Sequence, residues 1–486
     1  MTNKNLDCVE KDFQPSLNKV IGLMKQDDYT INAVNHYLDG NILRLSKSGK
    51  EYAFSFTSQT PSGKQTHEEI KFQAENIVEL TSSEASLYVL GKAIFIDQID
   101  FGFDRSEKKV TGSISGFCTV KNQEVFDKCY LRYIVPIGEK NKVFNIRHFE
   151  KSKQGCITPQ GLLATHIDYV VSSSDFHLYT ARENNEYFLI IDCIEQIDLP
   201  SFEEKCFSTL LALGLISGNL ALDESFILSF SEERMSAPTG LIYQPKPSSI
   251  YTKQAAFTTN ISSISYGKGL SKEEKDKLAV GLEEFPKDVF SSLATQLHKH
   301  EKLRRATMLL LLGKIASLEM RLPAYYIAIE AITAHAVKVK DMFGLIKDES
   351  VAKKVLDSIK KLVEAEGRLH NADDFNSKVL LKKITHLNRP TNEQKLSQLF
   401  KSVGYPLSEE EHKILRSRNV FLHGGFTRGE DDKRYRDTLH TSLRLSFLVT
   451  VLLLKLAGFE GKIINYAELW SGTTKKKLNE DLLRSI

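Results

Sequence analysis

From about residue 30 to 200 the apolar residues fall in short runs of period two, as at Tyr52, Phe54 and Phe56, with further apolar runs at Ala93 to Ile96 and Tyr130 to Val135. Alternate side chains of a strand point to opposite faces, so this period predicts β-strands. The clearest pair is Phe176 to Ala181 and Tyr187 to Glu195. Between them lies the polar interval Arg182-Glu183-Asn184-Asn185-Glu186, whose length suits an antiparallel hairpin. Both strands are strongly apolar, which predicts a sheet covered on two faces. Ser201 followed by Glu204 has capping-box spacing and predicts a helix running to about Asn219, packed on that sheet.

Residues 236 to 270 are rich in Ser, Thr, Pro, Gly and Tyr and lack a sustained period, which marks a domain boundary. Beyond it the pattern turns helical. Ser271 with Glu274 is a second capping box, Pro286 opens a new segment, and Met308 to Ile315 is intensely apolar. Val351, Val355, Ile359 and Leu362 form one stripe ended by Gly367. Thr391 with Gln394 opens a short helix carrying Leu396, Leu399 and Phe400. The last long helix starts at Asp431-Asp432, carries Leu439, Leu443, Phe447, Val451 and Leu454, and stops at Lys455 and Gly458, so its end charges suit the helix dipole. No internal repeat is present. The expected class is α+β: a strand-rich N-terminal domain over 1–235, linker and connecting helices over 236–300, an all-α bundle over 301–475 and a tail over 476–486.

The 486 residues, 41% of them hydrophobic, suffice for two or three cores. Lys plus Arg number 65 against 62 Asp plus Glu, and a net charge of +3 gives no global attraction to polyanions, so any nucleic acid must be gripped locally. Six cysteines without a C-x-x-C pair read as reduced thiols, and residues Met1 through Asp28 lack the features of a signal peptide, which together point to the cytoplasm. The run Phe447 to Leu454, flanked by Arg444 and Lys455, is well short of the roughly 20 apolar residues of a membrane span. Gly63-Lys64 lacks the remainder of a phosphate-binding loop, and no G-x-S-x-G elbow occurs. His298 and His300 form an isolated H-x-H without further ligands at metal-binding spacing. No metal or cofactor is therefore expected, and residues 1 to 235 contain no recognisable ligand site.

One segment carries candidate chemistry. Ser408 with Glu411 forms another capping box and Gly424-Gly425 a stop, predicting a helix from about Glu409 to His423. At about 100° per residue, Arg418 falls on the apolar arc of Ile414, Leu415, Phe421 and Leu422, and a guanidinium there needs a partner. His412, Arg416, Asn419 and His423 occupy the other side. Arg418 and His423 are then separated by about 140° on the wheel. They converge only if the helix end at Gly424-Gly425 is distorted, or if two copies of the helix face one another across a two-fold axis; the dimer is the preferred arrangement. Arginine can neutralise a phosphorane in bidentate fashion. Histidine, with an ordinary pKa of about 6.5, can take a proton from an RNA 2′-hydroxyl or give one to the leaving 5′-oxygen. In that scheme no metal is needed, and RNA would be cut where DNA would not.

The R-x4-H string Arg418-Asn419-Val420-Phe421-Leu422-His423, with Asn after the Arg, resembles the motif of HEPN ribonucleases. The helix Pro323-Ala324-Tyr325-Tyr326-Ile327-Ala328-Ile329-Glu330-Ala331-Ile332 and the Leu-His-Gly-Gly stop resemble the ApeA-like branch of that family, bacterial anti-phage proteins that join a strand-rich N-terminal region to this bundle. The resemblance spans roughly residues 300 to 470. It implies Arg418 and His423 as the catalytic pair, Asn419 as their polar support, a homodimer or higher homo-oligomer using both chains, and abortive infection through RNA cleavage after a phage-derived trigger is sensed. Glu330 is a possible partner for Arg418, or points to solvent at the rim of its helix.

Scaffold roles compete at each position. Arg418 can be a structural ion pair joining two helices, which would leave the bundle a non-catalytic RNA- or protein-binding module. His423 can stabilise a helix dipole. His412 and Arg416 can contact phosphate or form a solvated face. Arg428, Lys433, Arg434 and Arg436 supply a local basic patch for RNA, diluted by Glu430, Asp431, Asp432 and Asp437. Lys475-Lys476-Lys477 reads as a solvated tail.

Overall fold

A computed structural model describes residues 9–10, 13–25, 27–32, 40–59, 76–101, 107–137, 148–152, 156–157, 163–164, 166–252, 254–265, 270–280, 282–336, 346–369, 376–418, 432–476 and 478–486. The chain is α+β and forms two compact units, Met1–Lys299 and His300–Ile486.

The first unit is built on an antiparallel sheet. Its spatial order runs Ile167–Val171, Ser174–Glu183, Glu186–Cys193, Tyr130–Pro136, Glu224–Phe230, Gly240–Pro245, Phe117–Cys118, Ser86–Leu90, Ile77–Thr81, Asp27–Asn32, Ile42–Ser48, Glu51–Gln59, Glu107–Ile114 and Ile94–Phe101. Connectivity dictates its shape. Ser86–Leu90 and Ile94–Phe101 lie six strand spacings apart in this order, about 29 Å if the sheet were flat. Yet only Gly91–Ala93 joins them, a link that reaches about 14 Å. The intervening strands must curl, and Ile31, Leu43, Phe54, Phe56, Val78, Leu80, Ile94 and Ile114 fill the interior down to a residual void of about 10 Å³. Gly112 is needed in the curl, because a Cβ there would collide with the Phe95 carbonyl and the Phe54 ring. The neighbouring strand carries an irregularity between Ile96 and Gln98 that sharpens its bend.

Beyond the curl the sheet is covered on both faces. Helix Leu199–Ser217 sets Phe202 against Tyr133 and Phe176, while helix Gln14–Met24 covers the opposite face, its preceding Phe13 lying edge-on to Tyr179. The outer edge of Ile167–Val171 is closed by helix Lys287–Lys299. There Ser291 Oγ accepts from the Val170 amide, and Thr295 Oγ1 accepts from the Ser172 amide and donates to the Val170 carbonyl.

Register lines up a polar row across four strands: Asp168 opposite His177, His177 opposite Asp192, Asp192 opposite Arg132. Arg132 and Asp192 are fully buried and joined by two bonds, Nε to Oδ1 at 2.8 Å and Nη2 to Oδ2 at 3.0 Å. Ser16 Oγ accepts from Nη1 at 2.8 Å, and the guanidinium lies 4.7 Å from the Phe13 ring and 5.2 Å from the Phe230 ring. A one-residue slip of either strand would turn one charge to the other face without its partner, so the pair fixes register.

The second unit is helical. Helices Glu301–Ile315 and Leu318–Ala336 pack closely, since Gly313 leaves no room for a Cβ beside the Tyr325 ring. Helix Asp432–Leu456 packs against both and is buried around its circumference from Thr438 to Leu454. It is long and apolar enough to cross a membrane by length and composition, but here it forms the bundle core. Asn392–Ser402 and Glu409–Arg416 complete this packing, and strand Lys462–Ile464 pairs with Leu483–Ser485.

Several local expectations are revised. The hairpin turn is Asn184-Asn185 alone, with φ of 48° and 65°, because asparagine tolerates the left-handed conformation and both strands extend further than their apolar cores. The helix expected from Ser201 begins earlier: Asp198 accepts from the Ser201 amide, Pro200 occupies the first turn, and Gly218 at φ 78° ends it. Residues 236–270, read as a boundary, contain the strand Gly240–Pro245 in the middle of the sheet, and helix Lys287–Lys299 also belongs to the first unit. Residues 476–486, read as a tail, contribute the strand Leu483–Ser485, and Lys476 pairs with Asp437 at 3.1 Å. The stripe on helix Glu349–Glu366 leaves Val351, Val355 and Leu362 exposed.

Asp192→Ala strands a buried guanidinium and is expected to lower the stability of the strand-rich unit by about 3–5 kcal/mol, whereas the joint replacement Arg132→Met with Asp192→Leu restores most of that loss. Hydrogen exchange in Tyr130–Pro136 and Glu186–Cys193 under increasing urea reads both.

Candidate functional site

The segment singled out by its chemistry begins with helix Glu409–Arg416. Ser408 and Glu411 form the expected capping box: the Glu411 amide donates to Ser408 Oγ at 3.2 Å, and the Ser408 amide donates to Glu411 Oε2 at 2.8 Å. The same carboxylate does more. Its Oε1 accepts from Arg484 Nη1 at 2.8 Å and from the Tyr405 hydroxyl at 3.2 Å, and lies 3.3 Å from Arg444 Nη2. Arg444, fully buried in the long helix, grips Glu480 through Nη1 at 2.5 Å and Nη2 at 2.9 Å, and Asn465 Nδ2 donates to Glu480 at 2.8 Å. Two carboxylates and two guanidiniums thus balance around the start of the motif helix. They bind it to helix Asp432–Leu456 and to the C-terminal strand, a closed arrangement that a buried charge set requires. A second tie runs from Glu410 to buried His440 at 2.9 Å.

At the other end the helix does not continue as the spacing predicts. It closes at Ser417, whose amide donates back to Lys413 and Ile414, and Arg418 lies just past that end. The wheel phase of a single uninterrupted helix therefore does not apply across this turn. The Tyr326 hydroxyl donates to the Ile414 carbonyl at 2.5 Å, pinning the last turn to helix Leu318–Ala336. Four residues on, on the same helical face, Glu330 forms an ion pair with Arg418 Nη2. The Arg418 side chain is 19% exposed and that of Glu330 37%, so the pair sits at the margin of the bundle, neither sealed nor free in water. Burial pushes the Tyr326 phenol well above its ordinary pKa, and the Arg418 charge opposes that rise.

The remaining candidates divide. Arg416 pairs with Glu393 at 2.6 Å on an exposed surface, and His412 is half-buried on the motif helix. Lys433 and Arg434 are exposed in the first turn of the long helix, where Arg436 lies 3.8 Å from Asp432. Asn419, His423, Arg428 and the Gly424-Gly425 stop lie outside the described residues. His298 lies in the last turn of helix Lys287–Lys299, and His300 precedes helix Glu301–Ile315, where its ring lies 4.2 Å from that of His335 at a tilt of 46°. The structure thus joins Arg418 to Glu330, while Arg416 has a partner elsewhere. Pairing one edge of a planar guanidinium to a carboxylate fixes the direction of its other edge, the property needed to present a fork to phosphate.

Sequence reading missed Arg444, Glu480, Arg484 and the central role of Glu411. One signal was present: Arg444 is the single Lys, Arg, Asp or Glu between Leu439 and Leu454, a stretch rich in leucine, and a guanidinium there demands carboxylates. Comparison with protein-family models, with curated proteins and with solved structures gave no match.

Glu411→Gln removes one charge from a balanced buried set and is expected to destabilise the helical unit by about 3–5 kcal/mol in chemical unfolding. Its stability should also fall in two stages as pH drops. Burial lowers the His440 pKa below 6.5 against the opposing pull of Glu410, so the unfolded chain takes up that proton first and stability declines as pH falls below 6.5. Burial would raise the Glu480 pKa, but Arg444, Arg484 and Asn465 outweigh it and hold the group below 4.5; its contribution is complete above 4.5 and is lost as pH falls through the depressed value. His440→Gln should flatten the first stage and Glu480→Gln the second, measured as the unfolding midpoint of the helical unit against pH.

Proposed function

We propose that the helical unit is a HEPN-type, metal-independent endoribonuclease acting in bacterial anti-phage defence by abortive infection, with its site completed where two protomers meet. The observation that carries this reading is the Arg418–Glu330 pair. A guanidinium from the R-x4-H string is held just past the end of helix Glu409–Arg416, partly exposed, with its orientation set by a carboxylate from the helix that shares the family resemblance. In this scheme His423 accepts the 2′-hydroxyl proton, the 2′-oxygen attacks phosphorus, and Arg418 neutralises the charge of the phosphorane. The 5′-oxygen then departs with the proton that His423 took up, leaving a 2′,3′-cyclic phosphate and a 5′-hydroxyl and restoring the neutral imidazole. Asn419 supports the pair and Glu330 positions Arg418. His412, Lys433, Arg434 and Arg436 are candidate phosphate contacts. The strand-rich unit restrains the bundle in the cytoplasm until it meets a phage-derived trigger.

A second reading is favoured by the same ion pair taken as scaffold: Arg418 joins two bundle helices, and the unit binds RNA or a protein without cutting. Cleavage of total RNA by the full chain separates the two. Arg418→Ala and His423→Ala are each expected to lower the rate by about 10²–10⁴-fold while leaving dimerisation and the unfolding midpoint in place. Activity should persist in chelator and leave cyclic phosphate ends. Cleavage unchanged in both variants, or strictly dependent on magnesium, overturns the ribonuclease assignment. Absent cleavage with retained RNA binding supports the second reading.

A further inference from the structure

The polar row across the sheet ends in a cluster for which the ribonuclease reading has no use. Asp168 is the cross-strand partner of His177, and His166 precedes Asp168 by two residues, so all three side chains project from one face of the sheet. His166 Nε2 lies 2.6 Å from Asp168 Oδ1, and His177 Nε2 lies 3.5 Å from the same oxygen. One donor atom from each residue falls within 4.8 Å of the others.

Ser152 also hydrogen-bonds the Asp168 carboxylate, but the cluster is not closed by its own contacts. His166 is only 1% exposed, yet among the described residues neither of its ring nitrogens, nor Asp168 Oδ1, has a hydrogen-bond partner of good angular geometry, the 2.6 Å approach of His166 to Asp168 included. Buried polar atoms are seldom left this way, and an exception points to something that completes the site. The three donor atoms lie close enough together for one ion to reach all of them. His177 is preset for such a role, because its Nδ1 meets the Tyr179 hydroxyl at 2.8 Å and its Nε2 is directed to the cluster. Asp168 and His177 also line a cavity of about 310 Å³ reached by Lys287, Asp288 and Ser291 of the helix that closes the sheet edge.

We propose that His166, Asp168 and His177 form a three-ligand site for a divalent first-row transition metal such as zinc, with the remaining coordination position opening on this cavity. Two imidazoles and one carboxylate are a donor set that such ions accept, and three protein ligands with one open position are the pattern of sites that bind a water or an exogenous ligand. Donors around zinc at about 2.0–2.1 Å sit roughly 3.3 Å apart, so binding would move the 2.6 Å pair of His166 Nε2 and Asp168 Oδ1 apart by about 0.7 Å. The strand-rich unit thereby gains a place where a small anionic or carbonyl-bearing molecule can be held by the ion inside a preformed cavity. This revises the expectation of a metal-free N-terminal half and does not depend on the ribonuclease assignment.

The test uses the full chain stripped with chelator and titrated with zinc against a chromophoric competitor, with cobalt as a spectroscopic substitute. One zinc per chain is expected, together with slower hydrogen exchange in Ile167–Val171 and Ser174–Glu183. Asp168→Asn, which preserves shape, should weaken binding by at least about 100-fold, and Tyr179→Phe, which removes only the hydroxyl behind His177, by about 10–100-fold. The cobalt form should show d–d bands of a nitrogen and oxygen site. Less than one zinc per chain, parental affinity in Asp168→Asn, or a thiolate charge-transfer band assigning the ion to cysteines would each overturn the proposal.

Discussion

A guanidinium inside a protein must be paired, and much of this structure follows from how three of them are satisfied. Arg132 and Arg444 are fully buried and their partners close around them: Asp192 with Ser16 in the sheet, Glu411 and Glu480 in the bundle. Each fixes something that hydrophobic packing alone leaves degenerate. In the sheet it is the register of neighbouring strands; in the bundle it is the angle at which the motif helix leaves the long core helix. Arg418 is the third, and it differs in kind, since both it and Glu330 keep part of their surface in solvent. A pair at that boundary costs less desolvation than a sealed one.

The architecture serves these sites in two ways. In the first unit the three-residue link between Ser86–Leu90 and Ile94–Phe101 forces one end of the sheet to curl. The other end stays open enough to be sandwiched between helices, and its last strand is closed by side chains of helix Lys287–Lys299 rather than by another strand. In the second unit, Glu411 anchors the start of its helix through charge and Tyr326 anchors the finish through one hydrogen bond. Arg418 is thus delivered from a helix held at both ends.

What was legible in the sequence was local. The capping boxes at Ser271, Thr391 and Ser408 form as read, because each needs only residues three apart and a helix between them. The strand-rich and helical halves were likewise visible in the change of hydrophobic period. Errors arose where a local signal had two meanings. Gly, Pro and Ser around 236–270 suggested a linker, but Gly240 lies where a Cβ would crowd Phe126, Ser229 and Val120, so that glycine serves close strand packing. Ser201 with Glu204 imitated a capping box, while Asp198 and Pro200, just upstream, start the helix instead. The stripe at Val351, Val355 and Leu362 has the right period for a core face yet is exposed, since periodicity states which residues share a face and not what meets it.

The sites themselves were legible in proportion to how few chain crossings they need. The Arg418–Glu330 pair was legible as one of two options, since Glu330 among Ile327, Ile329 and Ile332 could meet Arg418 or face solvent, and the helical phase that set Arg418 on an apolar arc does not hold past Ser417. Glu411, Arg444 and the neighbours Glu480 and Arg484 come from three separate segments, and no spacing rule connects those segments. His166, Asp168 and His177 fall between these cases. Their convergence requires only the tight turn at Ser172-Ser173, where φ of 48° and 71° sets Asp168 opposite His177. Serine is an unusual residue for both left-handed positions, so the turn carries little sequence signal and the register it imposes could not be assumed. A donor set that looks scattered along the chain is, once that turn is known, the local product of one hairpin.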